Sequence, residues 1–283
     1  MHVDLLDRLL ELPATAFSAI AAGETLCFII DRQTHSDALS QLYGVGEPIE
    51  IEPLYFGTEF ASMDDGPLWL QARWGGELAR CAARLCENQL GGIALRTAHP
   101  AKALAHARWL LRANDGSGGQ SLLSYHKPSL WAALSLTDGA TRDSLLGPWL
   151  SVYSPAPSHF FDTARSWLSW PGNPNAHCLS QHPAFTLPAR TAQDQQRLDW
   201  LYWLDEYFAE YGSPERARLP GIIVNLDLLV QGEIFQSDHL LKLATLTAEA
   251  PFAAQPQAMA ILQTTDYDFI KVDRLLEMAG TTA

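Results

Sequence analysis

Leu26-Cys27-Phe28-Ile29-Ile30-Asp31 is an unbroken apolar run closed by a carboxylate. A run this short, bounded by polar residues, has the pattern of a strand buried on both faces, as in a mainly parallel sheet covered by helices. The segments on either side extend that reading. Residues 34–43 read as a helix closed by Gly44 and Gly46, and Ile49 to Phe56 turns strand-like. Gly66-Pro67 is a turn into a strand at Leu68-Trp69-Leu70. A helix over 76–89 ends at Gly91-Gly92, Ile93-Ala94-Leu95 is a strand, and a helix over 100–112 carries Pro100 in its first turn. A strand at 121–125, a helix from Pro128 to about Leu136 and a strand from Trp149 to Tyr153 follow. Strands and helices in alternation predict an α/β lobe with a mainly parallel or mixed sheet over residues 1–153.

The character then changes. Residues 154–190 are rich in proline, and Trp170-Pro171-Gly172-Asn173-Pro174-Asn175 is turn chemistry, which predicts a linker or extension. From residue 191 to 283 the pattern is that of a mainly helical C-terminal lobe. Its clearest helix spans 192–211. On a wheel, Trp200, Trp203, Leu204, Tyr207 and Tyr211 fall within about 100° of one another. Leu198, Leu201, Tyr202 and Phe208 cover another sector, leaving Asp199, Glu206 and Glu210 as a narrow acidic stripe. More aromatic residues stand here than one core face needs, so Trp200, Trp203, Tyr207 and Tyr211 are the candidate partner contacts, against the plainer reading that they are the core of this lobe.

Composition narrows the function. The chain has 283 residues, of which 47% are hydrophobic and nine are Trp, enough to bury a core without staples. It carries 19 Lys and Arg against 32 Asp and Glu, a net charge of −13. Phosphate recognition rests on Lys and Arg, so nucleic acid and anionic membrane surfaces are poor partners. Residues 191–283 hold 6 basic and 14 acidic residues, which concentrates the negative charge in the last third. Solubility accounts for such a surface, and so does a basic partner. Cys27, Cys81, Cys86 and Cys178 form no CxxC pair and read as reduced, buried thiols of a cytoplasmic protein. The acidic, amphipathic start MHVDLLDRLLEL fits neither a signal nor a transit peptide, and no apolar run approaches a membrane span.

Catalytic motifs are absent from the sequence: no Gly-x-Ser-x-Gly, no phosphate-binding Gly-x₄-Gly-Lys and no His-Glu-x-x-His. Asp31 stands at the end of a buried strand, where ligands bind in open α/β sheets, but a carboxylate there also caps a helix or meets a cation. Asp64-Asp65 precede Gly66-Pro67 and read as a turn. Gly116-Ser117-Gly118-Gly119 opens no helix and also reads as a turn. His177, Cys178 and His182 lack zinc spacing and a second cluster. No metal, cofactor or catalytic residue is expected.

Six segments recur in a recognisable order: Phe28-Ile29-Ile30-Asp31, Glu52-Pro53-Leu54-Tyr55-Phe56-Gly57-Thr58, Gly66-Pro67-Leu68-Trp69-Leu70, Trp109-Leu110-Leu111-Arg112, Leu123-Ser124-Tyr125-His126-Lys127-Pro128-Ser129-Leu130 and Gly147-Pro148-Trp149. Over residues 25–153 this series resembles the Tap or TEC adaptors of type VI secretion. The resemblance implies a cytoplasmic adaptor, not an enzyme, which binds an effector protein and helps mount it on the VgrG spike before firing. It marks Asp31, Gly57, Gly66, Pro67, Arg112, Tyr125, Pro128, Gly147 and Pro148 as structural residues. Ser124 and His126 stand where the family has Arg and Asp, so any ion pair between those two is replaced here. Two other readings remain: an α/β hydrolase-like enzyme using Asp31 and a neighbouring His, and an immunity protein whose acidic lobe plugs a toxin.

Overall fold

The computed structural model describes residues 5–19, 25–114, 119–137, 140–161, 166–173 and 184–282. The candidate ligands His177, Cys178 and His182 and most of the Gly116–Gly119 turn lie outside the described residues. The strands are β1 (Ala14–Ala16), β2 (Thr25–Ile30), β3 (Glu50–Pro53), β4 (Leu68–Ala72), β5 (Gly92–Thr97), β6 (Arg112–Asn114), β7 (Ser121–Leu122), β8 (Ser151–Pro155), β9 (Ser166–Pro171) and β10 (Phe185–Thr186). Seven of them form one sheet in the order β1-β9-β8-β5-β2-β4-β3, and β10-β6-β7 form a second.

Every pairing in the seven-stranded sheet is antiparallel. This corrects the expected α/β lobe with a mainly parallel or mixed sheet. The reason is visible at β2, which pairs antiparallel with β4 on one side and with β5 on the other. β4 and β5 therefore run in the same direction, joined by the helix Glu77–Glu87, but β2 lies between them. The chain makes a split crossover. The alternation of strands and helices follows from the crossover, whereas the antiparallel pairing follows from the inserted strand.

From Leu26 to Ile30, β2 is apolar because both faces of the sheet are covered. Leu26, Phe28 and Ile30 pack with Leu42, Leu78, Ala82 and Leu85 in one core. Cys27 and Ile29, which point to the other face, are also fully buried. The helix Glu77–Glu87 supplies Leu78, Ala79, Cys81, Ala82, Leu85 and Cys86 to this packing. Cys27, Cys81 and Cys86 are free thiols. Burial, with the Glu50 charge adding to it, pushes the Cys27 thiol up to about 12, so Cys27 is an apolar filler here. β3 is an edge strand, and its Glu50, Glu52 and Pro53 are residues that discourage further strand pairing.

The chain divides into two compact units, residues 1–198 and 199–283. The first unit therefore extends well past residue 153. Residues 154–190, expected as a linker or extension, contribute β9, which pairs with β8 along five residues, and β10. Trp167 and Trp170 of β9 are fully buried. The division falls inside the helix Thr191–Glu206.

The described residues of the second unit form helices and turns. Two buried polar side chains tie it together. Asn225 donates from Nδ2 to the carbonyls of Thr247 and Ala250 and accepts the Phe252 N–H at 2.8 Å. Lys271 donates from Nζ to the Gly232 carbonyl at 2.9 Å, placing a cation at the C-terminal end of the helix Leu219–Gln231. Among the described residues, no helix is long and apolar enough to cross a membrane.

Candidate functional site

Asp31 follows the last residue of β2, and its backbone N–H donates to the Gly91 carbonyl at 2.7 Å. Its carboxylate accepts the Gln33 N–H at 2.8 Å and the Thr34 hydroxyl at 3.2 Å, folding the chain into a tight turn after the strand. His126 Nε2 lies 3.6 Å from Asp31 Oδ2, with the two side chains only 4% and 8% exposed. Burial, the largest single influence, opposes ionisation of Asp31, but His126, the Gln33 N–H and the Thr34 hydroxyl together hold the carboxyl at about 2. His126 is brought there by the turn in which the Lys127 N–H donates to the Ser124 carbonyl, just before Pro128 opens the helix Pro128–Ser135.

An Asp–His pair invites comparison with a catalytic triad. That chemistry needs the second ring nitrogen of the His to face a nucleophile. Among the described residues, the buried His126 Nδ1 has no hydrogen-bond partner. Two of the interactions of Asp31 close the turn after β2 and the third reaches the segment around His126, which is the work of a structural tie.

The other residues marked by the resemblance also pack. Tyr125 is fully buried and donates its hydroxyl to the Ala107 carbonyl at 2.9 Å. Arg112 pairs with Glu59 through Nε and Nη2. Pro128 stands in the first turn of its helix, where no backbone N–H is required. Gly66 and Pro67 precede β4, and the Pro67 carbonyl accepts the Leu54 N–H at 2.8 Å. A Cβ on Gly66 would come within 2.3 Å of the Tyr55 ring. Gly147 has φ +48°, and a Cβ there would come within 2.4 Å of the His106 ring. Gly57 has φ +76° in a turn. Pro148, half-buried, follows Gly147 into the chain leading to β8.

His106 stacks against Trp109 and meets Trp149 edge-on, with ring centroids 5.3 and 4.9 Å apart. Its Nε2 lies 2.9 Å from the Leu145 carbonyl, and burial lowers its pKa to about 4. This histidine is a neutral core group.

The aromatic residues predicted as partner contacts belong to the second unit. Trp200 donates from Nε1 to Asp227 at 2.8 Å, and Trp203 donates from Nε1 to the Tyr211 hydroxyl at 3.1 Å. Trp203 lies 4.3 Å from Tyr207 and edge-on to Trp200 at 6.5 Å. Tyr211 is only 1% exposed and belongs to the core. Trp200, Trp203 and Tyr207 are half-buried. The helix ends at Glu206, and Gly212 at φ +72° closes the turns that follow.

Exposed residues that sequence reasoning missed lie close by in this unit. Tyr267 is 74% exposed and Phe269 52%, yet their rings stack 5.8 Å apart and nearly parallel. Asp268 between them accepts the Phe269 N–H and lies 3.1 Å from His239 Nδ1. Tyr267 precedes the helix Asp268–Thr282, so the periodicity of that helix carried no signal for the pair. Among the described residues, no cluster of His, Cys, Asp or Glu is arranged to hold a metal ion. Comparison of the chain with family models, with curated proteins and with solved structures finds no match.

Proposed function

We propose that the chain is a cytoplasmic adaptor that binds a type VI secretion effector and helps load it onto the VgrG spike. One observation carries the binding part of this reading: Tyr267 and Phe269 are held as a stacked pair in solvent. Exposing two large rings forgoes the stabilisation that burying them would bring, roughly 2 kcal/mol each. Such residues make sense as anchors for a partner. The order of motifs over residues 25–153 supports the adaptor part, and the engagement of Asp31 with Gln33, Thr34 and His126 fits a framework role for them.

The test is co-expression of the chain with the effector-like and spike proteins encoded beside it, followed by pull-down and size-exclusion chromatography. A stable complex with the effector, or with effector and spike together, is the expected result. Loss of delivery without self-intoxication on deletion separates an adaptor from an immunity protein. A chain that remains a lone monomer with every such protein overturns the reading.

A further inference from the structure

The exposed Tyr267–Phe269 pair is linked to the aromatic residues near the end of the helix Thr191–Glu206 through the helix Ser237–Lys242. Asp268, between the two rings, lies 3.1 Å from His239. Burial first, then the charges of Glu206, Glu210 and Asp238, the residue before His239, raise the Tyr207 hydroxyl above its usual range, so Asp238 stands near that ring. Phe235, two residues before this short helix, is 66% exposed. Aromatic rings and carboxylates thus alternate along one stretch of the C-terminal unit. Residues 199–283 carry 13 acidic and 5 basic residues, so that unit has a net charge of −8.

We propose that this stretch is a docking face, and that its occupant is a partner segment in which Lys or Arg alternate with apolar side chains. The exposed rings would receive the apolar side chains, and the half-buried Trp203 and Tyr207, with Glu206 and Glu210 close by, would receive the cations. The parallel stacking of Tyr267 and Phe269 presents the two rings together before binding, which lowers the ordering cost. A second copy of the chain is the wrong occupant electrostatically, since two faces of like charge repel. The inference rests on the adaptor reading for the identity of the partner, but not for the chemistry of the face.

The experiment uses the full chain, the double variant Tyr267→Ser/Phe269→Ser and the double variant Glu206→Lys/Glu210→Lys. Matching circular dichroism and Tm establish that each variant is folded. The probes are synthetic peptides of about 16 residues, alternating Arg with Leu, Glu with Leu, or Arg with Ser, followed by tryptophan fluorescence and calorimetry. The Arg/Leu peptide is expected to bind the unaltered chain, about tenfold or more tighter than either control peptide, and each variant is expected to lose about tenfold. Binding should weaken as salt rises from about 50 to about 500 mM. No binding of the Arg/Leu peptide, or equal binding by the variants, overturns the proposal. So does a concentration-dependent dimer that Tyr267→Ser/Phe269→Ser abolishes, because the face would then belong to a second copy. Effector capture indifferent to both variants overturns the docking face and leaves the adaptor reading standing. Peptide binding at this face by a chain that captures neither effector nor spike does the reverse.

Discussion

The Asp31 junction in the first unit and the acidic aromatic face in the second use the same residue types to opposite ends. At the junction, a carboxylate and an imidazole are buried together and their partners are internal. On the C-terminal face, carboxylates stand beside rings that are half or fully in solvent. A buried charge is tolerable only when paired, and losing the partner is costly. An exposed charge near an exposed ring contributes little to folding and keeps its field for a partner. Substitutions should therefore separate the two regions: stability responds at the first, binding at the second.

The largest expected effect is from Asp31→Ala, which removes the carboxylate beside His126 and leaves the Gln33 N–H and the Thr34 hydroxyl without their acceptor. A loss of about 2–4 kcal/mol in urea unfolding is expected, since two donors lose a buried acceptor. A loss below about 1 kcal/mol would mean that the junction is not a structural tie and would reopen a catalytic role for Asp31.

Acid sharpens the contrast in two steps. Burial lowers the pKa of His106 from 6.5 to about 4, so its contribution is complete above pH 6.5 and is lost as pH falls toward 4. Protonation of the unfolded chain over that window costs about 3 kcal/mol of stability. Asp31 has a carboxyl lowered from 3.8 to about 2, so its contribution is lost between those two values. Stability measured against pH should fall in both windows, and His106→Phe should flatten only the upper one.

Gly147→Ala should cost about 2 kcal/mol, through the left-handed backbone and the contact with the His106 ring. A thermal melt reads this directly, and His106→Ala in the same chain should recover part of it by opening space. The smallest effect on stability is expected from Tyr267→Ser/Phe269→Ser, within about 0.5 kcal/mol by urea unfolding, because these rings are already in solvent. A larger loss would place the pair in the folding core and remove the distinction between the two regions.

Much of the junction was legible in sequence. The apolar run ending in Asp31, the Pro128 helix start and the glycines at 57, 66 and 147 all produce local signals. What made Asp31 a tie was not legible, because His126 is 95 positions away and nothing local says that the two meet. The aromatic crowding at Trp200, Trp203, Tyr207 and Tyr211 was also plain, but one of the four is core and three are half-buried. The exposed pair escaped notice because Tyr267 stands just before the helix Asp268–Thr282, outside its periodicity.

The sequence by itself determined where most elements of the first unit form, since side-chain periodicity, proline and glycine act over a few residues. It also determined the acidity of the chain and the clustering of its aromatics. Only the tertiary structure decided that β2 inserts between β4 and β5, turning an α/β alternation into an antiparallel sheet. It alone brought β9 out of a proline-rich stretch into that sheet, paired His126 with Asp31 and left Tyr267 and Phe269 in solvent. Strand order and burial depend on contacts between distant segments. An apolar run covered on both faces looks the same whichever way its neighbours run.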